Sequence, residues 1–262
     1  MPPDAETRIE LARIASGDEL KSLIHEASED ALLALLENPK LDQAHVTQLL
    51  ERLDLPANVL GAIGSDGKWT TSESIRLGLA RHPRTPKRVA LAVVRQLYLF
   101  DLVRLSLLPS TPADIKRVAE EIIISRVPHI PVGQKLTLAR RGPSRVAGAL
   151  LAEGHAQAVK LALANAFMTE SQVLKVLAKP GVPERVVAAI AQDAKWSRQY
   201  NIRAALVRNP HTPSARVLEF LPDLTLRDLK DISELEELAP RLKKQISDEI
   251  ALRAAGGEPR GR

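Results

Sequence analysis

The chain has no cysteine, few aromatic residues and no long apolar run. Without cysteine, disulfides, thiolate nucleophiles and cysteine-ligated zinc or iron–sulfur sites are all excluded. Aromatic residues make up 3% of the 262 residues, and base stacking on single-stranded nucleic acid relies on such side chains. The longest apolar stretches, such as ALLALL at 31–36, are far shorter than the ~20 residues of a membrane span. The polar N-terminus, MPPDAETRIE, lacks the features of a secretory signal, and we therefore expect a cytoplasmic protein without membrane insertion.

What the sequence does contain is an internal repeat with an offset of 127 residues. Residues 38–86 align without a gap with residues 165–213, and the only two tryptophans of the chain, Trp69 and Trp196, fall on each other. The same offset pairs RIELARIA with KLTLARRG near the start of each copy, and LYLFDL with LTLRDL further on. A self-match of this length predicts a tandem duplication.

The duplication sets the expected domain boundaries. The stretch SRVPHIPVGQ carries two prolines between the copies and indicates a linker. We predict a first α-solenoid half at 8–124, a linker or hinge at 125–134, a second, basic half at 135–252 and a mobile tail at 253–262.

Short amphipathic helices are the expected elements of both halves. Apolar residues recur at spacings of three and four, as in Val46, Leu49, Leu50 and Leu53, which is the pattern of a helix with one buried face. No stretch alternates as a strand would. We expect roughly eight or nine helices of two to three turns in each half, and helices this short must stack on one another to be stable. The predicted fold class is all-α.

The turns LARHPRTP at 79–86 and LVRNPHTP at 206–213 mark helix boundaries. His82 and Asn209 each precede a proline, which disfavours the α conformation and predicts the end of a helix. Thr-Pro pairs at 85–86, 111–112 and 212–213 predict the start of the next helix, with threonine as the N-cap and proline at the first helical position. We interpret both stretches as helix punctuation.

The repeat unit resembles a known class. The pattern NPxTPxxVLxxL, followed by an acidic residue, a tryptophan and an IR or VR helix, is similar to the leucine-rich repeat variant proteins of bacterial type, and more broadly to HEAT and armadillo α-solenoids. The resemblance implies a right-handed superhelix of short helices with a binding role, and it brings neither a catalytic residue nor a cofactor. The unit between 86 and 165 departs from the pattern. The residues that carry the pattern are Asp66, Trp69, Ile75, Arg76, Pro83, Thr85 and Pro86 in the first half, and Asp193, Trp196, Ile202, Arg203, Asn209, Pro210, Thr212 and Pro213 in the second.

The segment GAIGSDG at 61–67 has the glycine spacing of a phosphate-binding loop. Its three glycines, however, align with Ala188, Ala191 and Ala194 in the second copy, and no strand precedes it. The prediction is therefore a structural transition at the end of a helix.

The histidines give no sign of an active site. No two of them have the i, i+4 spacing of a helical metal site, and no nucleophile elbow is present, although a Ser/His/Asp set assembles from distant positions. We expect surface histidines, no metal and no enzymatic activity. The six residues are His25, His45, His82, His129, His155 and His211.

Trp69 and Trp196 allow two interpretations. Next to Lys68 and Lys195, they could stack on a base or anchor a ligand. Because the tryptophan recurs at the same position in both copies, we favour the alternative that it fills the groove between successive helices. By the same reasoning, Asp66 and Asp193 are expected to cap or tether the next helix.

Charge distinguishes the two copies. Residues 8–89 contain 11 Lys and Arg and 12 Asp and Glu, whereas the matching residues 135–216 contain 13 and 4. The net charge is thus −1 in the first stretch and +9 in the second, within a chain of net charge +5. A surface of one sign concentrates and steers partners of the opposite sign. The basic residues of the second copy include Lys135, Arg140, Arg141, Arg145, Lys195, Arg198, Arg203 and Arg208.

These observations predict a non-enzymatic scaffold that binds an acidic protein partner. We assign the contact to Arg140, Arg141, Arg145, Lys195, Arg198, Arg203 and Arg208 of the second half. Two alternatives stay open: an ordinary solvated surface, or binding of duplex nucleic acid through the same basic residues. The nucleic-acid alternative includes a resemblance to HEAT-like DNA glycosylases, for which Asp193 is the nearest candidate carboxylate.

Overall fold

The structure is a computed structural model that describes residues 4–235 and 240–255. Across these ranges the chain forms nineteen α-helices and two short 3-10 helices, and no strand, which confirms the predicted all-α class. None of the helices in the described ranges combines the length and apolar character needed to cross a membrane.

Backbone contacts divide the chain into two compact units between Ser125 and Arg126. The division lies within the predicted linker, one residue before the end of a long helix. The helices up to that point are α1 Ala5–Ile14, α2 Gly17–Leu23, α3 Glu29–Leu36, α4 Gln43–Leu49, α5 Ala57–Ser65, α6 Gly67–Thr70, α7 Glu73–Arg81, α8 Lys87–Val94, α9 Leu99–Leu107 and α10 Ala113–Arg126.

The second unit opens and continues with the same kind of short helices. They are a 3-10 helix at Val127–His129, α11 Val132–Arg141, α12 Ser144–Glu153, α13 Ala156–Leu163, α14 Glu170–Leu177, α15 Glu184–Gln192, α16 Tyr200–Arg208, α17 Ser214–Phe220, a 3-10 helix at Leu221–Asp223, α18 Leu226–Ser233 and α19 Pro240–Ala254. Most of the predicted linker is therefore helical.

Helix boundaries in the two units correspond at an offset of 127 residues. The helices α1, α3, α5 and α7 match α11, α13, α15 and α16 at both their first and last residues. The helices α2, α4, α8, α9 and α10 match α12, α14, α17, α18 and α19 at their first residues. The exception is the one-turn helix α6, whose counterpart at 194–197 is a turn.

Within each unit the helices form two rows. In the first unit α1 packs on α3, α3 on α5 and α5 on α8, while α4 packs on α7 and α7 on α9. In the second unit one row runs through α11, α13 and α15, and the other through α12, α14, α16 and α18. The helices bury apolar residues at helical spacing, and Leu60 and Ile63 of α5 and Val187 and Ile190 of α15 are fully buried.

Prolines act at the helix starts, but one position earlier than predicted. Pro86 and Pro213 keep extended ψ angles of 132° and 128° and are the N-caps of α8 and α17. The Thr-Pro prediction is therefore wrong in register. The N-cap residue keeps a non-helical backbone. Proline, with its fixed φ, is compatible both with this position and with the first helical position. Thr212 faces inward instead, where its Oγ1 donates to the carbonyl of Leu206 at 2.6 Å.

Helix ends agree with the sequence prediction at both punctuation sites. His82 and Asn209 follow the last residues of α7 and α16 and have extended ψ angles of 127° and 122°. At the other end of the chain, the predicted tail begins inside α19, because Arg253 is helical and donates to the carbonyls of Leu221 and Leu224. Residues 256–262 of that predicted tail lie outside the described residues.

Candidate functional site

Both tryptophans are core residues in the structure. Trp69 and Trp196 are 1% and 2% exposed, and the indole Nε1 of Trp196 donates to the carbonyl of Leu163 at 2.9 Å. Lys68 and Lys195 place their Nζ atoms 4.0 Å and 4.1 Å from the adjacent ring centres. The rings are thus enclosed by protein and leave no free face on which a base could stack.

The two aspartates act as caps. The Oδ1 atom of Asp66 accepts from the backbone N–H of Lys68 at 2.8 Å. The Oδ1 atom of Asp193 accepts from the N–H groups of Lys195 and Trp196 at 2.9 Å and 3.1 Å. Because the carboxylate of Asp193 is engaged by its own turn, it resembles a structural cap more than a catalytic acid.

The glycine segment lies largely inside a helix. Gly61 and Gly64 belong to α5, and Gly67 begins α6. A Cβ atom on Gly64 would clash with the Val89 side chain of α8. The glycine therefore permits close helix packing, and the segment has no free loop to cradle a phosphate.

One histidine contradicts the surface prediction. His82 is buried, its Nε2 lies 2.7 Å from the carbonyl oxygen of Arg52, and its Nδ1 accepts from the N–H of Arg84 at 3.1 Å. Burial lowers the pKa of this imidazole. Its place before Pro83, at the end of a helix, turns the side chain into the core. Among the described residues there is no group of three His, Cys, Asp or Glu that could hold a metal ion.

Three of the predicted basic residues lie around the junction of α11 and α12. Arg140 and Arg141 are exposed in the last turn of α11, a favourable place for positive charge near a helix C-terminus. Arg145 is half-buried in the first turn of α12. Over the ranges that the structure describes, no carboxylate pairs with Arg140 or Arg141.

Other predicted residues are already engaged within the protein. Lys135 pairs with Glu153, and the Nη2 atom of Arg208 lies 3.1 Å from Asp228. The hydroxyl of Tyr200 also donates to Asp228, and this hydrogen bond is the main reason why the pKa of Asp228 is lowered. Asp228 lies beyond residue 216, so the charge count of the aligned stretch omitted the acid that neutralises Arg208.

Arg198 and Arg203 come together in a cleft of about 390 Å³. We call it the arginine cleft and define it by six residues of the loop after α15, of α16, of α17 and of the following 3-10 helix. They are Arg198, Arg203, Arg216, Glu219, Phe220 and Asp223.

The buried ring of Phe220 organises the arginine cleft. The guanidinium carbons of Arg203 and Arg216 lie 5.7 Å and 4.9 Å from its centre, within the range of cation–π attraction. Arg203 pairs with Asp223, and Arg216 pairs with Glu219. Arg198 is exposed, and among the described residues it has no acidic partner. The cleft therefore has three positive and two negative side chains.

Four of the six residues of the arginine cleft were missed by sequence reasoning. The signal was present in the alignment of the copies, as positions where an uncharged residue of the first half is replaced by an arginine, an acid or a phenylalanine of the second. The first-half counterparts of Arg216, Glu219, Phe220 and Asp223 are Val89, Ala92, Val93 and Gln96. Five of the six cleft residues thus differ from their first-half counterparts, and only Arg203 is shared, with Arg76.

Comparison with protein-family models, with curated proteins and with solved structures finds no match to this chain.

Proposed function

We propose that this protein is a non-enzymatic interaction scaffold, built as a tandemly duplicated α-solenoid, which binds an acidic protein partner through basic residues of its second half. The resemblance to leucine-rich repeat variant and HEAT-like proteins favours the same class. Three sets of observations support the proposal. They concern the duplication, the stacking of the helices and the distribution of charge.

The duplication is supported by contacts that recur with the sequence offset. The buried Nδ2 of Asn38 donates to the carbonyls of Ala12 at 2.8 Å and Ala15 at 3.0 Å. Asn165, 127 residues later, donates to Ala139 and Gly142 at the same distances. With the matched helix starts, such a repeated polar contact is what two copies of one ancestral array would retain.

A solenoid arrangement is supported by the order of helix contacts within each unit. Helices pack mainly on their neighbours in sequence or on the next helix but one, which gives two rows. Repeat proteins build their cores in this way, because each short helix pair buries its apolar face against the next pair.

The observation that carries the binding proposal is the set of unpaired arginines on the second unit. Arg140, Arg141 and Arg198 are exposed, and the described part of the chain offers them no carboxylate. They occur in the stretch with net charge +9, whereas the aligned first stretch has −1. Exposed guanidinium groups without internal partners attract and orient carboxylates of another molecule.

The test measures binding of defined acidic and neutral probes to the full chain. A peptide of about 20 alternating Glu and Ala residues, carrying an uncharged dye, is titrated by fluorescence anisotropy at about 50 mM and about 200 mM salt, where charge-driven binding differs strongly. We expect binding that weakens with salt, and none for the Gln–Ala analogue. Equal binding of both peptides, or no binding at low salt, would contradict the proposal.

A duplex DNA titration under the same two conditions addresses the nucleic-acid alternative. The scaffold proposal expects the acidic peptide to be preferred at the higher salt concentration. Tighter binding of the duplex, with a steep dependence on salt, would favour nucleic acid as the partner instead.

A further inference from the structure

We propose that the arginine cleft is a carboxylate-binding site for an acidic segment of the partner protein, and that Glu219 and Asp223 are internal counter-ions which the partner's carboxylates replace. This inference rests on the proposed function and specifies where and how that binding takes place.

The donors of the cleft are held in place from behind. The Nε and Nη2 atoms of Arg216 donate to the carbonyl of Ala191 at 2.9 Å and 2.6 Å. The Nε atom of Arg203 donates to the carbonyl of Ser197. With both guanidinium groups also within cation–π distance of Phe220, their remaining N–H groups are oriented before any partner arrives, which reduces the entropy lost on binding.

The carboxylates now in the cleft are placed to be exchanged. The side chains of Asp223 and Glu219 are 37% and 57% exposed. Exposed ion pairs contribute little to the stability of the fold, because water competes for both charges. Replacing these carboxylates with others of the same kind therefore disturbs the fold little.

The cleft also has donor capacity that the protein does not use. Arg203 directs only its Nε and Nη1 atoms to protein acceptors within the described ranges, which leaves both N–H groups of its Nη2. Arg198 lines the same cleft, and within the part of the chain that the structure describes its guanidinium group has no partner. A planar guanidinium group matches a carboxylate with two parallel hydrogen bonds. The site thus accommodates two or three carboxylates close together, as an acidic run of Asp and Glu supplies.

The site is specific to the second half of the chain. At the first-half positions that correspond to its three arginines, only Arg76 is retained, while Thr71 and Val89 replace Arg198 and Arg216. The aromatic floor is replaced by Val93. The first unit therefore serves as an internal control that keeps the helix arrangement and lacks the site.

The experiment uses the Glu–Ala peptide and the full chain with three sets of changes. Arg198→Ala removes the unpaired donor, and the exposed Arg88→Ala of the first unit is its control. Glu219→Gln with Asp223→Asn removes the internal counter-ions. Glu184→Gln with Asp231→Asn changes the net charge equally at exposed residues outside the cleft. Circular dichroism and thermal unfolding verify that each variant is folded.

We expect Arg198→Ala to weaken binding about five-fold and Arg88→Ala to leave it unchanged. Removing the two counter-ions should tighten binding at least about three-fold more than the charge-matched control does. If the wild-type chain binds the peptide but each cleft variant equals its control, the inference is overturned and the proposed function stands. If the wild-type chain does not bind the peptide, both are overturned.

Discussion

Buried polar side chains at the ends of helices hold successive elements of this protein together. Asn165 is 1% exposed, donates twice to backbone carbonyls at the C-terminal end of α11, and accepts from the N–H of Phe167 at 2.7 Å. An asparagine supplies both functions with one short side chain. The sequence alignment identified Asn38 and Asn165 only as identities, because their acceptors lie more than twenty residues earlier.

Replacing Asn165 with alanine tests this contact. The change leaves two buried carbonyls and one N–H without partners, and we expect the free energy of unfolding to fall by about 2–4 kcal/mol. The measurement is urea unfolding followed by circular dichroism. Asn201→Ala is the control, since Asn201 is exposed and its side chain donates to Glu170 at the surface, and it should change stability by no more than about 0.5 kcal/mol. A loss below about 1 kcal/mol for Asn165→Ala would show that the contact is dispensable.

His82 takes the place that Asn209 has in the second unit, and it makes stability depend on pH. In the folded state its Nδ1 accepts a hydrogen bond and burial lowers its pKa, whereas in the unfolded chain the imidazole has a pKa of about 6.5. The unfolded state therefore binds more protons as the pH falls below this value, and stability decreases there. Above it, the contribution of His82 is constant.

The corresponding variant is His82→Asn. Because asparagine does not titrate in this range, we expect its stability to decrease less between about pH 7 and about pH 5.5 than that of the wild-type chain. Chemical unfolding at several pH values measures the slope. His211→Asn changes an exposed histidine and should retain the wild-type slope. An identical slope for His82→Asn would exclude His82 as its source.

At the scale of helices, the residues at the contact between α5 and α8 differ from those at the matching positions of α15 and α17. In the first unit Gly64 faces Val89, and a Cβ atom there would meet the valine side chain. The second unit has Ala191 and Arg216 at these positions, and the unbranched arginine reaches back to the carbonyl of Ala191. The β-branched valine therefore faces a glycine in the first unit, whereas the unbranched arginine faces an alanine in the second.

This relation predicts that the effect of Gly64→Ala on stability reverses when Val89 is replaced with a smaller residue. In the wild-type chain Gly64→Ala should destabilise the protein by about 1–2 kcal/mol through overpacking. In a Val89→Ala background the same change should stabilise it, by up to about 1 kcal/mol, because alanine favours the helix more than glycine. Urea unfolding of the four proteins of this cycle measures the coupling. The same effect in both backgrounds would contradict the assigned contact.

Many of the helices and their ends could be predicted from sequence, because they depend on residues that are close together in the chain. Apolar spacing fixed the helices, and residues before proline fixed the ends at His82 and Asn209. The starts after Thr-Pro were wrong by one residue, because the roles of N-cap and first helical position both suit proline. The arginine cleft could not be predicted, since it depends on which side chains α15, α16 and α17 bring to one place, and similarity between the copies carries no such information.

At the scale of the whole molecule, the proposed duplication separates what is shared from what is specific. Core positions, the tryptophans and the asparagine contacts recur in both units. The excess of positive over negative charge and the arginine cleft belong to the second unit alone. A copied scaffold in which one half keeps an ordinary mixed surface and the other becomes basic is consistent with binding concentrated on the second half.

The most direct measurement of this central claim is a matched reversal of charge in the two halves. One variant carries Arg140→Glu, Arg141→Glu and Arg198→Glu. The other carries Lys40→Glu, Arg88→Glu and Arg104→Glu, three exposed residues of the first unit. Both variants change the net charge equally, so a difference between their affinities shows that the location of the charge matters. In anisotropy titrations with the Glu–Ala peptide, we predict that the first variant loses at least about ten-fold in affinity, and the second no more than about three-fold. Equal losses in both, or none in the first, would contradict the account.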